Sequence, residues 1–255
     1  MKISELVRKM FATSFGIRAA HFLIRIALQE EETHRYESDS SYSYYEKKYR
    51  EEFFAKSMRF LQFNHLRGDY LEFGCYGGGT FGLAHKHKHL TKLSMKLYGF
   101  DSFRGLPKPT GVDIHDQWKE GDFAIGISEF EEKLETMGIR PNEYKLIPGF
   151  YDVSLKNSPP DKIGITAAAF VYIDCDLYES TIPVLTYIAP VLQTGTIVAF
   201  DDFYCFNGDP ERGGQRALRE FLQRNPHISF NSFLNIGWHG KSFIVKVSNK
   251  QATVQ

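Results

Sequence analysis

Cysteine is scarce in this chain. Cys75, Cys175 and Cys205 are too few and too scattered for a disulfide framework or a structural zinc cluster. They read as reduced thiols, and a cytoplasmic location is expected. Long apolar runs are missing as well: the longest near the start, residues 19–28, is broken by His21 and Arg25, so no integral membrane segment is expected. Net charge is absent, with 31 Lys plus Arg against 31 Asp plus Glu, which argues against a general nucleic-acid binder. There is no G-x-S-x-G elbow and no Walker A loop, so the hydrolase and P-loop assignments fall away.

What is present is organised around Tyr70-Leu71-Glu72-Phe73-Gly74-Cys75-Tyr76-Gly77-Gly78-Gly79-Thr80. An apolar strand runs into a glycine cluster and then into a helix-compatible segment, residues 81–90. Glycines at such a turn let backbone approach a ligand, and the helix offers unpaired N–H groups at its start. A doubly wound α/β sheet builds its first ligand loop in this way. The spacing differs from the dinucleotide fingerprint G-x-G-x-x-G, and an acid stands at the strand end. That suits a methyl-sulfonium cofactor with an amino-acid tail better than NAD. The competing assignment is an ordinary glycine-rich turn.

At 255 residues the chain suffices for one large α/β domain. Residues 1–30 alternate apolar positions with Lys and Arg and read as amphipathic helix outside the core fold, expected to pack on protein and not on lipid. Residues 30–45 read as a polar linker rich in Ser, Glu and Tyr. We expect 1–65 to form a helical extension and linker (acceptor lid or dimer contacts) and 66–255 to form the catalytic domain. Helix 46–66 precedes the first strand, and 97–100 is the second strand, ending in Asp101. Residues 108–125 look like a loop that covers ligand. Ser128 with Glu131 reads as a capping box for a helix at 129–137. Strands follow at 145–147, 168–173 and 195–200, with helices at 179–192 and 212–224 and a closing strand pair at 228–234 and 242–247. The alternation implies a mostly parallel, seven-stranded, Rossmann-like sheet with an antiparallel C-terminal hairpin.

Three strands end in acids: Asp101, then Asp174 with Asp176, then Asp201-Asp202. In a doubly wound sheet these ends share one edge. Crowded carboxylates need a cation, and all-oxygen ligation selects magnesium or manganese over zinc. Helix capping or turn bonds are the alternative for Asp201-Asp202. The tract His85-Lys86-His87-Lys88-His89 reads as a solvated basic face, because i, i+2 histidines point apart on a helix. Cys75 and Cys175 have no histidine nearby in sequence and are assigned to packing.

The strings Gly99-Phe100-Asp101-Ser102-Phe103-Arg104-Gly105-Leu106-Pro107 and Asp174-Cys175-Asp176-Leu177-Tyr178-Glu179-Ser180-Thr181, with the glycine loop and Asp201-Asp202-Phe203, resemble the macrocin-type O-methyltransferases. These are class I S-adenosylmethionine enzymes acting on sugar hydroxyls. The likeness runs from about Tyr70 to about Arg219 and leaves the first 65 residues unmatched. It implies that Glu72, Gly74, Tyr76, Gly78 and Thr80 surround the methionine part of S-adenosyl-L-methionine. It implies that Asp101 and Ser102 hold the ribose, and Phe150 and Tyr151 the adenine. Asp174, Asp201 and Asp202 match magnesium ligands, with Asp174 and His239 as candidate catalytic groups. A metal-dependent sugar O-methyltransferase, assembled as a homodimer and acting on a small-molecule diol or sugar acceptor, is the expected function. The alternatives are a catechol or phenol O-methyltransferase, suggested by the 15% aromatic content, and a non-catalytic cofactor-binding protein acting through partners.

Overall fold

Apolar alternation and glycine breaks produce a seven-stranded sheet in the computed structural model, which describes residues 39–248. The order of elements is α1 (Asp39–Phe63), β1 (Asp69–Phe73), α2 (Gly79–Thr91), β2 (Leu97–Asp101), α3 (Ile127–Thr136), β3 (Tyr144–Pro148), α4 (Tyr151–Asn157), α5 (Pro160–Ile163), β4 (Ala168–Ile173), α6 (Tyr178–Ile188), β5 (Ile197–Phe200), α7 (Gly213–Arg224), β6 (Ile228–Ile236) and β7 (Gly240–Val247). Spatially the strands run β3-β2-β1-β4-β5-β7-β6. The first five are parallel, and β7 joins β5 and β6 antiparallel. The order reverses between β1 and β4, and that switch point opens a crevice at the carboxyl ends of the strands.

β2 and β4 are buried at every position, as strands covered on both faces must be. Nine of the twelve largest fully buried side chains are aromatic, among them Phe54, Tyr70, Phe73, Phe100, Phe170 and Tyr172. Each contributes on the order of 2 kcal/mol by leaving water. Phe73 and Phe100 stack with centroids 4.5 Å apart, locking β1 onto β2. The aromatic richness is therefore spent largely on the core, which removes the sequence argument for an aromatic acceptor.

The chain divides into two units between Lys48 and Tyr49. The second takes in α1 from Tyr49 onward, and Phe53, Phe54, Met58 and Leu61 bury one side of that helix. The expected amphipathic segment at 1–30 lies outside the described residues. Some boundaries differ from expectation. α1 begins at Asp39, inside the stretch read as linker, because nothing in its Ser/Tyr/Glu sequence breaks a helix before Asn64. The capping box at Ser128 does not form: Gly126 is the N-cap and makes no side-chain bond, which leaves Ser128 inside the first turn. Among the described residues, no helix is long and apolar enough to cross a membrane.

Candidate active site

The crevice is built first by the turn after β1. Gly74 adopts φ +87°, and its N–H donates to the Phe100 carbonyl at 2.9 Å. A Cβ there would lie 1.7 Å from the Asp174 carbonyl oxygen, so the ends of β1 and β4 can meet only around a glycine. Gly78, at φ +74°, is the left-handed N-cap of α2. Cβ atoms added at Gly77 or Gly79 would meet nothing within 4 Å, which leaves a bare backbone cradle at the helix start. Exposed Tyr76 meets Phe123 edge-on at 5.5 Å beside it.

Glu72 is fully buried, accepting a 2.7 Å bond from the Thr80 hydroxyl and one from the Tyr70 hydroxyl. Burial pushes its carboxyl up to about 8, outweighing the two bonds that favour charge, and Asp101 and Asp201 push the same way. It is thus a neutral acid at neutral pH that ties the start of α2 to β1. Its folded pKa lies above its unfolded one, so stability is lost as pH rises from about 4.5 towards about 8, and is fully present only below that window. Glu72→Gln keeps the shape without the charge. It is expected to stabilise the fold by on the order of 3 kcal/mol at pH 7.5 and to flatten this slope. Denaturant unfolding from pH 5 to 8 checks this, and parallel wild-type and variant curves would refute it.

Asp101 acts as a buckle. Its Oδ2 accepts the N–H groups of Cys75 at 2.7 Å and Tyr76 at 3.3 Å, and its Oδ1 accepts that of Phe103 at 2.7 Å. Three of about four acceptor positions are thereby used, and one remains for a donor from outside the loop. The Ser102 hydroxyl donates to the Gly105 carbonyl at 2.7 Å and accepts from Arg104 N–H. Tyr151 packs edge-on against Phe73 and donates to the Phe100 carbonyl at 3.2 Å, while half-buried Phe150 starts α4 beside it.

Opposite the cradle, the strand-end acids converge. Asp174, Asp201 and Asp202 each offer an oxygen, all within 4.8 Å of one another. Asp202 Oδ2 is buried with no hydrogen-bond partner, an orphan that a cation would satisfy. Withdrawal from water, and then the charge of Asp201, push Asp174 well up and Asp202 to about 6. Asp176, at φ +55°, joins them, raised by burial and by Asp202 while Trp118 hydrogen-bonds it. Trp118 packs with Leu177 and Phe206, so the loop between β2 and α3 does reach the acids. The sequence named Asp176 as a strand-end acid but gave it no role. The left-handed bend that turns it to Asp202 is visible only in the structure.

Asp201 is already engaged. Arg50 of α1 grips it with Nη2 on Oδ2 at 2.6 Å and Nε on Oδ1 at 3.3 Å, and the Tyr172 hydroxyl donates to the same Oδ1. Burial pulls the Arg50 guanidinium pKa down, but Asp201 outweighs it and the charge is kept. His239 is buried, and its Nδ1–H donates to the Asp201 carbonyl at 2.7 Å. That bond leaves Nε2 as the basic nitrogen, lying against Gly237. Nothing local in the sequence marks Arg50, which sits in a helix 151 positions away.

Known proteins resemble this chain in sequence and in fold. The chain is 28% identical over 145 residues to an 8-demethyl-8-(2,3-dimethoxy-alpha-L-rhamnosyl)-tetracenomycin-C 4'-O-methyltransferase of Streptomyces olivaceus, covering 53% of each. It is 25% identical over 167 residues to a mycinamicin III 3''-O-methyltransferase of Micromonospora griseorubida, covering 62% of this chain and 61% of that one. The chain thus spans little more than half the length of these curated relatives. In fold it is similar to the O-methyltransferase NovP, with a TM-score of 0.63 at 21% identity over 77% of this chain and 79% of that one. A calicheamicin methyltransferase gives 0.64 at 21% identity over 94% and 91%. The macrocin-O-methyltransferase (TylF) family model matches residues 27–228, and the chain belongs to that family.

Proposed function

We propose that this chain transfers a methyl group from S-adenosyl-L-methionine to a hydroxyl of a sugar or glycosylated small molecule, with a divalent cation at the acid cluster. The observation that carries the reading is the convergence of three carboxylates, one with a buried unpartnered oxygen, across the crevice from a bare glycine cradle. The rhamnosyl group in the name of the Streptomyces olivaceus relative supports the acceptor class.

S-adenosyl-L-methionine, when bound, supplies a carbon already activated towards displacement, so the protein's task is alignment and deprotonation. The amides at the start of α2, with Thr80 and Tyr76, suit the amino-acid tail, and Asp101 suits the ribose. Asp174, Asp201 and Asp202 would hold a magnesium-class ion, which supplies a lowered pKa to a hydroxyl near it. Asp176, beside Asp202, is one candidate proton acceptor, its carboxyl raised by burial and by Asp202. His239 buttresses Asp201 through its main chain, and Asp174 is the second candidate base.

A metal-free reading has its own support, since Arg50 already neutralises Asp201. One experiment separates the two. Protein stripped with chelator is expected to bind S-adenosyl-L-methionine with micromolar affinity, about −8 kcal/mol by calorimetry. It should transfer no methyl group to a rhamnose-bearing acceptor until magnesium or manganese is restored. Full transfer in chelator would select the metal-free reading, and failure to bind the cofactor would overturn the function itself.

A further inference from the structure

The sheet has a second cluster at its other edge. β3 pairs with β2 in parallel from Leu97↔Tyr144 to Asp101↔Pro148, so Glu143 stands at the amino edge, opposite the edge that carries the acids. A five-residue strand sets the two edges about 16 Å apart, and the three or four inter-strand steps from β3 to the acids of β4 and β5, about 4.8 Å each, add to that separation. The last turns of α2 return to the same edge and bring His85 and His89 to Glu143. The histidine tract read as a solvated face is therefore divided. His87 turns away to Glu51, at 2.7 Å, whereas His85 and His89, one turn apart, converge.

His85 Nε2 lies 3.2 Å from Glu143 Oε1, His89 Nε2 lies 3.1 Å from the same oxygen, and the two nitrogens are 3.0 Å apart. Hydrogen bonds alone cannot satisfy this triangle. If each imidazole donates to the carboxylate, two N–H groups face each other. If one nitrogen is left bare, its lone pair faces the carboxylate oxygen. A cation accepts all three lone pairs at once. The spacing suits it, since ligands about 2.0–2.1 Å from a tetrahedral ion are about 3.3–3.4 Å apart.

We propose that His85, His89 and Glu143 form a transition-metal site of the zinc class that clips α2 to the entrance of β3, independent of the methyl-transfer site. Two imidazoles and one carboxylate select zinc, cobalt, nickel or copper, whereas the all-oxygen cluster selects magnesium. The carboxylate is oriented for the task, because Glu143 Oε2 accepts the Arg140 N–H at 3.2 Å. His85 and Glu143 are largely shielded while His89 is 57% exposed, which leaves the outer side open to a water as fourth ligand. Lys88 Nζ, 3.6 Å from Oε1, already stands beside the carboxylate and competes with the ion.

Cobalt(II) titration of the chelator-stripped full-length protein tests this. The expected result is one equivalent bound with the intense visible absorption of four-coordinate cobalt, displaced by zinc, and a rise in Tm with zinc. His89→Gln and Glu143→Gln should each weaken cobalt binding at least tenfold and abolish the zinc-dependent rise. Asp174→Asn should leave the cobalt spectrum unchanged. If Glu143→Gln fails to fold, His89→Gln at its exposed position carries the test alone. Absence of the four-coordinate spectrum in wild type, its persistence in His89→Gln, or its loss in Asp174→Asn would each overturn the proposal.

Discussion

Asp174→Asn should lower kcat for methyl transfer about a thousandfold, change cofactor affinity less than threefold, and make the protein more stable at neutral pH. The three effects share one origin. Asp174 is drawn away from water and faces Asp201, Asp202 and Asp176, so its folded pKa lies well above its unfolded value. A raised carboxyl costs stability wherever the unfolded chain would be ionised, which includes pH 7. The neutral amide removes that cost, and a gain of about 1–3 kcal/mol follows, vanishing as pH falls below the ordinary carboxylate range. On the proposed function the amide also removes a cation ligand and a candidate proton acceptor, so catalysis is expected to fall. Thermal unfolding of the stripped protein and steady-state kinetics check both halves. Wild-type kcat would remove Asp174 from the reaction, and a lower Tm would show that the repulsion is already relieved.

Gly74→Ala is expected to be the most destabilising single-methyl change in the sheet. The new Cβ would sit 1.7 Å from the Asp174 carbonyl oxygen and 2.7 Å from its carbon, on a backbone at φ +87°. Main chain cannot rotate away as a side chain can, so the ends of β1 and β4 must part. Adding left-handed strain to that displacement gives more than about 4 kcal/mol, or about 8–16 °C in Tm for a domain of this size. Activity goes with it, because Asp174 moves. Gly77→Ala is the control: its Cβ meets nothing within 4 Å, so Tm should stay within about 2 °C and only cofactor affinity should respond. A Gly74→Ala protein with wild-type Tm would refute the packing account.

The parts of the site that lie at the ends of regular strands were legible in the sequence. Alternating β1, β2, β4 and β5 each stop at a glycine or an acid, and the doubly wound rule puts those stops on one edge. The gathering of strand-end acids on one edge was therefore expected from counting strands, the choice of Asp174, Asp201 and Asp202 among them came from the family resemblance, and the antiparallel hairpin followed from its short spacing. What escaped was set by distance along the chain. Arg50 reaches Asp201 from a helix whose sequence shows only an amphipathic pattern. Glu72 was read as a ligand-facing acid, yet period 2 also puts it on the face of Tyr70, where the core closes over it. Asp101 was expected to meet a ribose, and backbone amides of the glycine loop take most of its acceptor capacity. His85 and His89 were judged by their spacing to His87, whereas the partner that gathers them, Glu143, is 58 and 54 positions away.

The grip on Asp201 bears on how the protein is made. One hand is Arg50, 151 positions upstream, and the other is His239, 38 positions downstream. During synthesis the five parallel strands emerge before β7, but Asp201 is held at both its carboxylate, by Arg50, and its main-chain carbonyl, by His239, only once the β6–β7 turn has left the ribosome. Contacts of such separation carry the largest loop-closure cost and form late. The reactive edge is thus completed after the sheet that bears it, and partial opening from the carboxyl end disarms it first. A chain stalled before residue 239 would keep Arg50 and Tyr172 on the Asp201 carboxylate but lack the bond to its main chain, and the acid cluster would be left half built.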